Sequence, residues 1–64
     1  MKRTDLMKFL RQHDCFLLRE GAKHSVVVNV RSNRTSTIPR HNEIDNSLGK
    51  KICRDLGIPE IKKK

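Results

Sequence analysis

The segment Ser25–Arg31 limits most strongly the folds open to this 64-residue chain. It is rich in β-branched residues, and Val recurs at every second position, which predicts a β-strand. The sequence Gly21-Ala22 before it and Ser32-Asn33 after it both favour turns. We therefore predict further strands at 16–20 and 34–38 and, because the connections are short, an antiparallel three-stranded meander.

A first helix is predicted before these strands, at 4–13. Leu6, Phe9 and Leu10 recur there at helical spacing, and Thr4 is suited to cap the helix. Basic and polar residues occupy the other side of the same segment. This pattern is typical of an amphipathic helix that packs one face onto a core.

A second helix is predicted at 47–56, with Ser47 as its cap and Gly57 as its end. The element order is then α-β-β-β-α, which belongs to the α+β class. Because these two helices are the only cover available for the Val-rich face of the sheet, that of Val26, Val28 and Val30, we expect both helices to pack on that face. The other face should stay open and polar, as suits a ligand surface.

The charge balance points to a polyanionic partner. The chain has 15 Lys and Arg residues against 7 Asp and Glu, a formal net charge of +8. RNA, DNA or an acidic protein would complement this excess. With two Phe and no Trp or Tyr, base stacking on aromatic side chains is not expected. Double-stranded RNA, read largely through its phosphates and 2′-hydroxyls, suits the composition better.

Length and cysteine content exclude further classes. We expect one domain over 1–64, with a core too small for a deep cofactor cavity. No apolar run reaches the ~20 residues of a membrane span, and the start of the chain lacks the pattern of a signal peptide. Cys15 and Cys53 are too few for a disulfide scaffold. We expect both as buried, reduced thiols in a cytoplasmic protein.

His24 stands in the context that most suggests chemistry among the three histidines. It follows Gly21, Ala22 and Lys23, where a flexible turn enters the predicted strand. Backbone groups and the Lys23 ammonium could hold a phosphodiester there while the imidazole transfers a proton. The alternative is a surface histidine without a chemical role. His13, on the apolar side of the first helix, is expected to be partly buried.

Arg40 and His41 follow Pro39 at the end of the third strand. Because the second and third strands run antiparallel, we expect these residues at the same sheet edge as His24. Arg40 would then be available to a phosphate. A solvated loop without function is the alternative.

The other basic residues form three groups. Most charge runs are only solvated faces, but an excess of this size favours nucleic-acid contact by the second helix and the tail. The groups are Arg31 with Arg34 beside the second turn, Lys50, Lys51 and Arg54 on the second helix, and Lys62–Lys64 at the end.

The chain has no motif for metal or covalent chemistry. It contains no Cys-x-x-Cys or His-x-x-x-His pair to nucleate a zinc site. It also lacks a nucleophile–base–orienter set and the Gly-rich loops that bind nucleotides. We therefore expect neither a metal nor a cofactor, and any catalysis should rest on proton transfer by histidine.

Three segments in order resemble the HicA-type (YcfA-like) toxins. Phe16–Ser25 resembles the first strand and glycine–serine–His motif of that family, and Thr37–His41 its apolar–proline–arginine–His motif. Ser47–Ile58 is similar to the final helix and its closing glycine. The resemblance extends from about Arg3 to Ile61. Ala22 departs from the family, which often has Ser there.

The resemblance implies a double-stranded-RNA-binding-domain-like fold and an mRNA-cleaving toxin. It also implies a HicB-type antitoxin that binds the toxin and hides its active histidine. The family's catalytic histidine falls on His24, and the histidine of the second motif falls on His41. Replacement of the family's Ser by Ala22 removes a hydroxyl that could contact phosphate.

Three functions follow as hypotheses. The first is a metal-independent endoribonuclease toxin, with His24 as the catalytic residue and with Lys23, Arg40, His41 and the second-helix cations contacting RNA. The second is a non-catalytic module that binds RNA or DNA through charge alone. The third is a domain that binds only an acidic protein. The histidine after Gly21 and Lys23 favours the first.

Overall fold

The computed structural model describes residues 1–61, so the predicted basic tail at 62–64 lies outside the described residues. The element order is α-β-β-β-α, and the predicted α+β class is confirmed. The elements are α1 (Arg3–Gln12), β1 (Cys15–Glu20), β2 (His24–Asn29), β3 (Arg34–Pro39) and α2 (Asn46–Asp55).

The three strands form an antiparallel meander with β2 at its centre. The ladder between β2 and β3 is continuous and includes the pair His24 and Pro39. Between β1 and β2 the register shifts from Leu17 to Arg19, which leaves Leu18 as the extra residue of a β-bulge. Both β1 and β3 are therefore edge strands.

Both helices cover one face of the sheet, as the sequence predicts. Along β2, the alternate residues Ser25, Val27 and Asn29 are buried and face the helices. The expectation that the Val-rich face is covered is therefore wrong, since Val26 and Val28 lie on the open side. Asn29 also donates from its side chain to the carbonyl of Leu56 just beyond α2, at 2.8 Å. The buried apolar cluster consists of Leu6, Leu10, Cys15, Val27, Ile38, Ile44, Ile52, Cys53, Leu56 and Ile61.

The open face is more apolar than predicted. Phe16 pairs with Val28 in the outward-facing set of side chains, and Phe16 is 43% exposed. On the same edge strand Leu18 is 57% exposed, and Leu17, which pairs with the buried Val27 and so lies toward the helix side, is 50% exposed. The sequence did not reveal these exposed apolar side chains, because β1 is short and its bulge interrupts the alternation of inward- and outward-facing residues. The result is an exposed apolar strip along β1.

The predicted helix caps are wrong. α1 begins one residue earlier than predicted, at Arg3, and Lys2 precedes it without a side-chain cap hydrogen bond. α2 likewise follows Asp45 rather than Ser47, whose hydroxyl instead donates to the Asp45 carboxylate. Backbone contacts at the chain start account for the α1 boundary, including a bridge between Lys2 and Glu43.

Two residues take the left-handed conformation that the sequence indicates. Gly57 has φ +72° just after α2, as expected of a glycine that ends a helix. Asn33 has φ 60° in the connection between β2 and β3. That connection spans 30–33 and is longer than the two-residue turn predicted at Ser32 and Asn33, because β2 ends at Asn29.

Cys15 and Cys53 are free, buried thiols, which confirms the prediction. Burial raises the pKa of the Cys15 thiol, and the neighbouring Cys53 and Asp14 add to that effect. Burial also raises the pKa of Cys53. Both thiols are therefore poor nucleophiles at neutral pH. Among the described residues, no helix is both long and apolar enough to cross a membrane.

Candidate functional site

His24 is the first residue of β2 and lies at an accessible corner of the sheet. It is exposed, whereas its neighbour Ser25 is fully buried on the helix-covered face. Since side chains alternate along a strand, the His24 imidazole projects on the open face. Its partner across the ladder is Pro39, the last residue of β3. The imidazole can therefore be approached from solvent without movement of either helix.

The turn before His24 is tight. The amide of Gly21 donates to the carbonyl of His24 at 2.7 Å, which closes the connection between β1 and β2. A Cβ at Gly21 would lie 3.0 Å from that same carbonyl oxygen, so close approach of the backbone favours glycine here. Lys23, exposed in this turn, is adjacent to His24 in the chain.

Arg40 reaches the same turn from β3. Its Nη1 donates to the carbonyl of Gly21 at 3.4 Å, and its Nη2 lies 3.6 Å from a carboxylate oxygen of Glu20. The structure therefore brings Arg40 to the corner that carries Lys23 and His24, as the antiparallel order predicts. His41 follows it and is exposed.

A second group of side chains supports this corner from the helix-covered face. The Arg3 guanidinium donates through Nη2 to the Ser25 hydroxyl at 2.7 Å and through Nε to the Pro39 carbonyl at 3.1 Å. The Ser25 hydroxyl donates in turn to the Glu20 carboxylate. Sequence reasoning missed Arg3, Ser25 and Glu20, because nothing in their spacing indicates that they meet.

The predicted cations of α2 do not join the His24 corner. Lys51 pairs with Asp55 at 3.1 Å, and Asp55 also accepts a hydrogen bond from the Ser36 hydroxyl. Ser36 lies three residues before Pro39 on β3, so this contact is about 10 Å from the corner along the strand. The Lys51 hydrogen bond lowers the pKa of Asp55, and the Ser36 hydroxyl adds to that effect.

The remaining α2 cations lie on the exposed side of the helix. Arg54 pairs with Glu60 at 3.4 Å, and Lys50 is exposed. Both are on the helix layer, whereas His24 projects from the open side of the sheet. An RNA that contacts all of these residues must therefore pass around an edge of the molecule.

A polar groove of about 450 Å³ lies at the opposite end of the sheet. His13 and Asp14 line it just beyond the end of α1, with Arg31, Gly57 and Ile58 among its other residues. Arg31 pairs there with Asp14 at 2.8 Å. His13 is half-buried and packs against Phe9, with ring centroids 4.5 Å apart, as predicted for a residue on the apolar side of the helix.

The comparison with protein families is decisive for the identity of the chain. The family described as HicA toxin of bacterial toxin-antitoxin matches residues 3–58, which include every element of the fold. The chain belongs to the HicA toxin family. Neither the comparison with curated proteins nor that with solved structures gives a match.

Membership in the HicA family gives the corner around His24 its context. The matched range includes both motifs that meet there, the one ending at His24 and Ser25 and the one containing Pro39 and Arg40. HicA toxins belong to toxin–antitoxin systems, so this chain is of the toxin type and implies a partner antitoxin. Within residues 1–61, no cluster of three or more His, Cys, Asp or Glu side chains is arranged to hold a metal ion.

Proposed function

We propose that this HicA-family chain is a metal-independent endoribonuclease that cleaves mRNA, with His24 as its catalytic residue. One observation carries the proposal: the exposed His24 imidazole stands at a sheet corner that also holds Lys23 and Arg40. An imidazole, the side chain used most often for proton transfer in enzymes, thus shares a corner of the sheet with two cations suited to a phosphodiester.

The reaction uses the 2′-hydroxyl of the RNA as its nucleophile. A base removes the 2′ proton, and the 2′-oxygen forms a bond to the adjacent phosphorus. The bond between phosphorus and the 5′-oxygen breaks, and that oxygen takes a proton from an acid or from water. The products are a 2′,3′-cyclic phosphate and a 5′-hydroxyl. His24 acts as the base or the acid, and His41 is the candidate for the opposite transfer.

Lys23 and Arg40 would stabilise the charge that develops on the phosphate. Arg40 is 51% exposed in its present pair with Glu20. An exposed pair of this kind is worth only about 0–1 kcal/mol, so a phosphate can replace the carboxylate as partner at little cost. Ala22 offers no hydroxyl to the same phosphate.

Lys50, Lys51 and Arg54 would contact the RNA backbone away from the scissile bond. The pairs of Lys51 with Asp55 and Arg54 with Glu60 are also exposed, so their cations can be shared with phosphates. Such contacts supply salt-dependent affinity rather than rate. Cleavage of mRNA further implies that the protein acts in the cytoplasm.

We also propose that the antitoxin is of the HicB type and binds where it hides His24. The exposed apolar strip of Phe16, Leu17 and Leu18 supports a protein partner, because unpaired edge strands readily accept another strand. β1 ends at Glu20, beside the turn that leads to His24. A partner on this strip therefore lies close to the proposed catalytic corner.

Two alternatives make different predictions. A non-catalytic RNA- or DNA-binding module would bind nucleic acid through its +8 charge but would leave it intact. A domain that binds only an acidic protein would neither bind RNA nor cleave it. Salt dependence of binding does not separate the first alternative from the nuclease, because both use the same charge.

The test uses one oligonucleotide sequence made in three forms. The purified chain is incubated in excess EDTA with the all-RNA strand, with the same strand carrying a single 2′-deoxyribose at the mapped cleavage position, and with the DNA strand. The proposal expects cleavage of the RNA alone at that position, with a 2′,3′-cyclic phosphate end. Binding of all three forms without cleavage would establish the binding module instead.

A further inference from the structure

We infer that Arg3 is a positioning residue that holds His24 in place through the buried hydroxyl of Ser25. This inference rests on the proposed role of His24. It assigns a role to the first residue of α1, which lies on the opposite face of the sheet from the imidazole. Arg3 therefore acts on the geometry of the site and not on the RNA.

Arg3 donates hydrogen bonds to both β2 and β3 close to His24. Its Nη2 donates to the Ser25 hydroxyl at 2.7 Å, one residue after His24. Its Nε donates to the carbonyl of Pro39 at 3.1 Å, and Pro39 is the ladder partner of His24. One rigid guanidinium thus fixes the spacing between the two backbone segments that carry the imidazole and lead to Arg40.

Ser25 completes the link because it is fully buried and its hydroxyl both accepts and donates a hydrogen bond. It accepts from Arg3 and donates to the Glu20 carboxylate. A buried hydroxyl without partners is costly, so this arrangement is strongly preferred once formed. The backbone of His24 cannot rotate freely while the residue after it is held in this way.

The network closes around the catalytic turn. Glu20 also lies 3.6 Å from Nη2 of Arg40, and Nη1 of Arg40 donates to the carbonyl of Gly21. The Gly21 amide in turn donates to the carbonyl of His24 at 2.7 Å. Every backbone segment that meets at this corner is therefore held by at least one member of the network.

Lysine cannot replace Arg3 in this role. The guanidinium presents its donors as a fixed planar fork, whereas an ammonium is a single point charge on a flexible stem. Arg3→Lys keeps the charge but loses the simultaneous donation to Ser25 and Pro39. An error of about 1 Å in the placement of a reacting group can lower a rate about a hundredfold.

The experiment compares two pairs of variants in RNA cleavage under EDTA. Arg3→Lys is matched with Arg11→Lys, an exposed residue in the last turn of the same helix. Ser25→Ala is matched with Ser36→Ala, a buried strand serine that bonds to Asp55 away from the corner. Thermal unfolding and NMR spectra establish that each variant is folded before kcat and KM are measured.

The inference expects kcat to fall about ten- to a hundredfold in Arg3→Lys and Ser25→Ala, with KM for RNA changed less than about twofold. The combined variant should lose no more than the worse single one, because both substitutions break the same link. The matched controls should retain the wild-type kcat. Equal kcat in the test variants and their controls would overturn the inference, and so would a loss confined to KM.

The imidazole itself provides a readout that does not depend on cleavage. In histidine-labelled protein, the His24 ring resonances should shift or broaden in Arg3→Lys and Ser25→Ala and stay unchanged in the controls. If the wild type cleaves no RNA, the proposed function fails, while these spectra still test the positioning by Arg3. Unchanged His24 resonances in both test variants would overturn it.

Discussion

His24 pairs with Pro39 across the ladder between β2 and β3, and this pair brings two distant motifs of the chain together. Because Arg40 follows Pro39, its guanidinium reaches the turn that precedes His24 and contacts the carbonyl of Gly21. The site is thus a property of strand register. A shift of β3 by one residue would turn its alternate side chains to the other face and displace Arg40 from the corner.

Gly57 is expected to be less replaceable than Gly49. Gly57 has φ +72°, a conformation that costs other residues roughly 1–2 kcal/mol, and an added Cβ would lie 3.2 Å from the Arg34 side chain. Gly57→Ala should therefore lower the free energy of unfolding by about 1–2 kcal/mol, as measured by urea titration.

Gly49→Ala provides the comparison. Its Cβ would lie 2.6 Å from Cε of Met1, the far end of a flexible side chain that can move. The gain in helix propensity, about 1 kcal/mol, offsets that repacking. Equal destabilisation by the two alanines would show that the left-handed conformation of Gly57 is not the cause.

Stability should fall in acid partly through Asp55. The hydrogen bonds from Lys51 and Ser36 lower the pKa of this carboxyl in the folded chain. A lowered folded-state pKa stabilises the fold above the ordinary pKa of Asp, and this contribution is lost as the pH falls through the folded-state value. Asp55→Asn should therefore flatten the pH dependence of the unfolding midpoint below about pH 4. If Asp55→Asn left the fall of the unfolding midpoint in acid unchanged, Asp55 would not contribute to it.

The buried thiols should resist modification until the chain unfolds. Burial raises the pKa of both Cys15 and Cys53, so the reactive thiolate is scarce at neutral pH. The raised pKa values also mean that their contribution to stability is present below the ordinary thiol pKa and is lost as the pH rises toward the folded-state values. Reaction with a thiol reagent should be slow in buffer and fast in denaturant. Rapid reaction in buffer would indicate that the core opens easily.

The sequence was sufficient to predict the topology but not which face of the sheet the helices cover. The Val-rich run, the turn residues and the stop at Gly57 each reflect local chemistry that operates in any small α+β fold. The meeting of His24 with the segment of Arg40 followed from the antiparallel order alone. The start of α1 was missed because backbone contacts of Lys2, rather than a capping side chain, accompany it.

The support beneath the site could not be predicted. Arg3 is separated from Ser25 by 22 positions and from Pro39 by 36, and neither interval has a period that indicates contact. Their meeting depends on how α1 crosses the sheet, which is set by packing. The apolar strip on β1 was likewise hidden, because the bulge at Leu18 breaks the alternation that would reveal its outer face.

The strip on β1 should bind the antitoxin without contributing to the fold. Leu18 is 57% exposed, so Leu18→Lys should leave the unfolding midpoint nearly unchanged. It should weaken binding of the HicB-type antitoxin at least about tenfold, because it places a charge in a desolvated contact. Ser32→Lys, in the exposed connection after β2, adds the same charge at another position. Equal affinities of the two variants, measured by calorimetry, would exclude the strip from the interface.

The rate of RNA cleavage by His24→Gln tests the central claim most directly. Wild type and variant, both verified as folded and as binding RNA with similar affinity, are compared in single-turnover reactions on an end-labelled RNA in excess EDTA. The account predicts that the variant is slower by about 10²- to 10⁴-fold, since that is the usual contribution of one proton-transferring side chain. Equal rates for the two proteins would contradict it and remove His24 from the reaction.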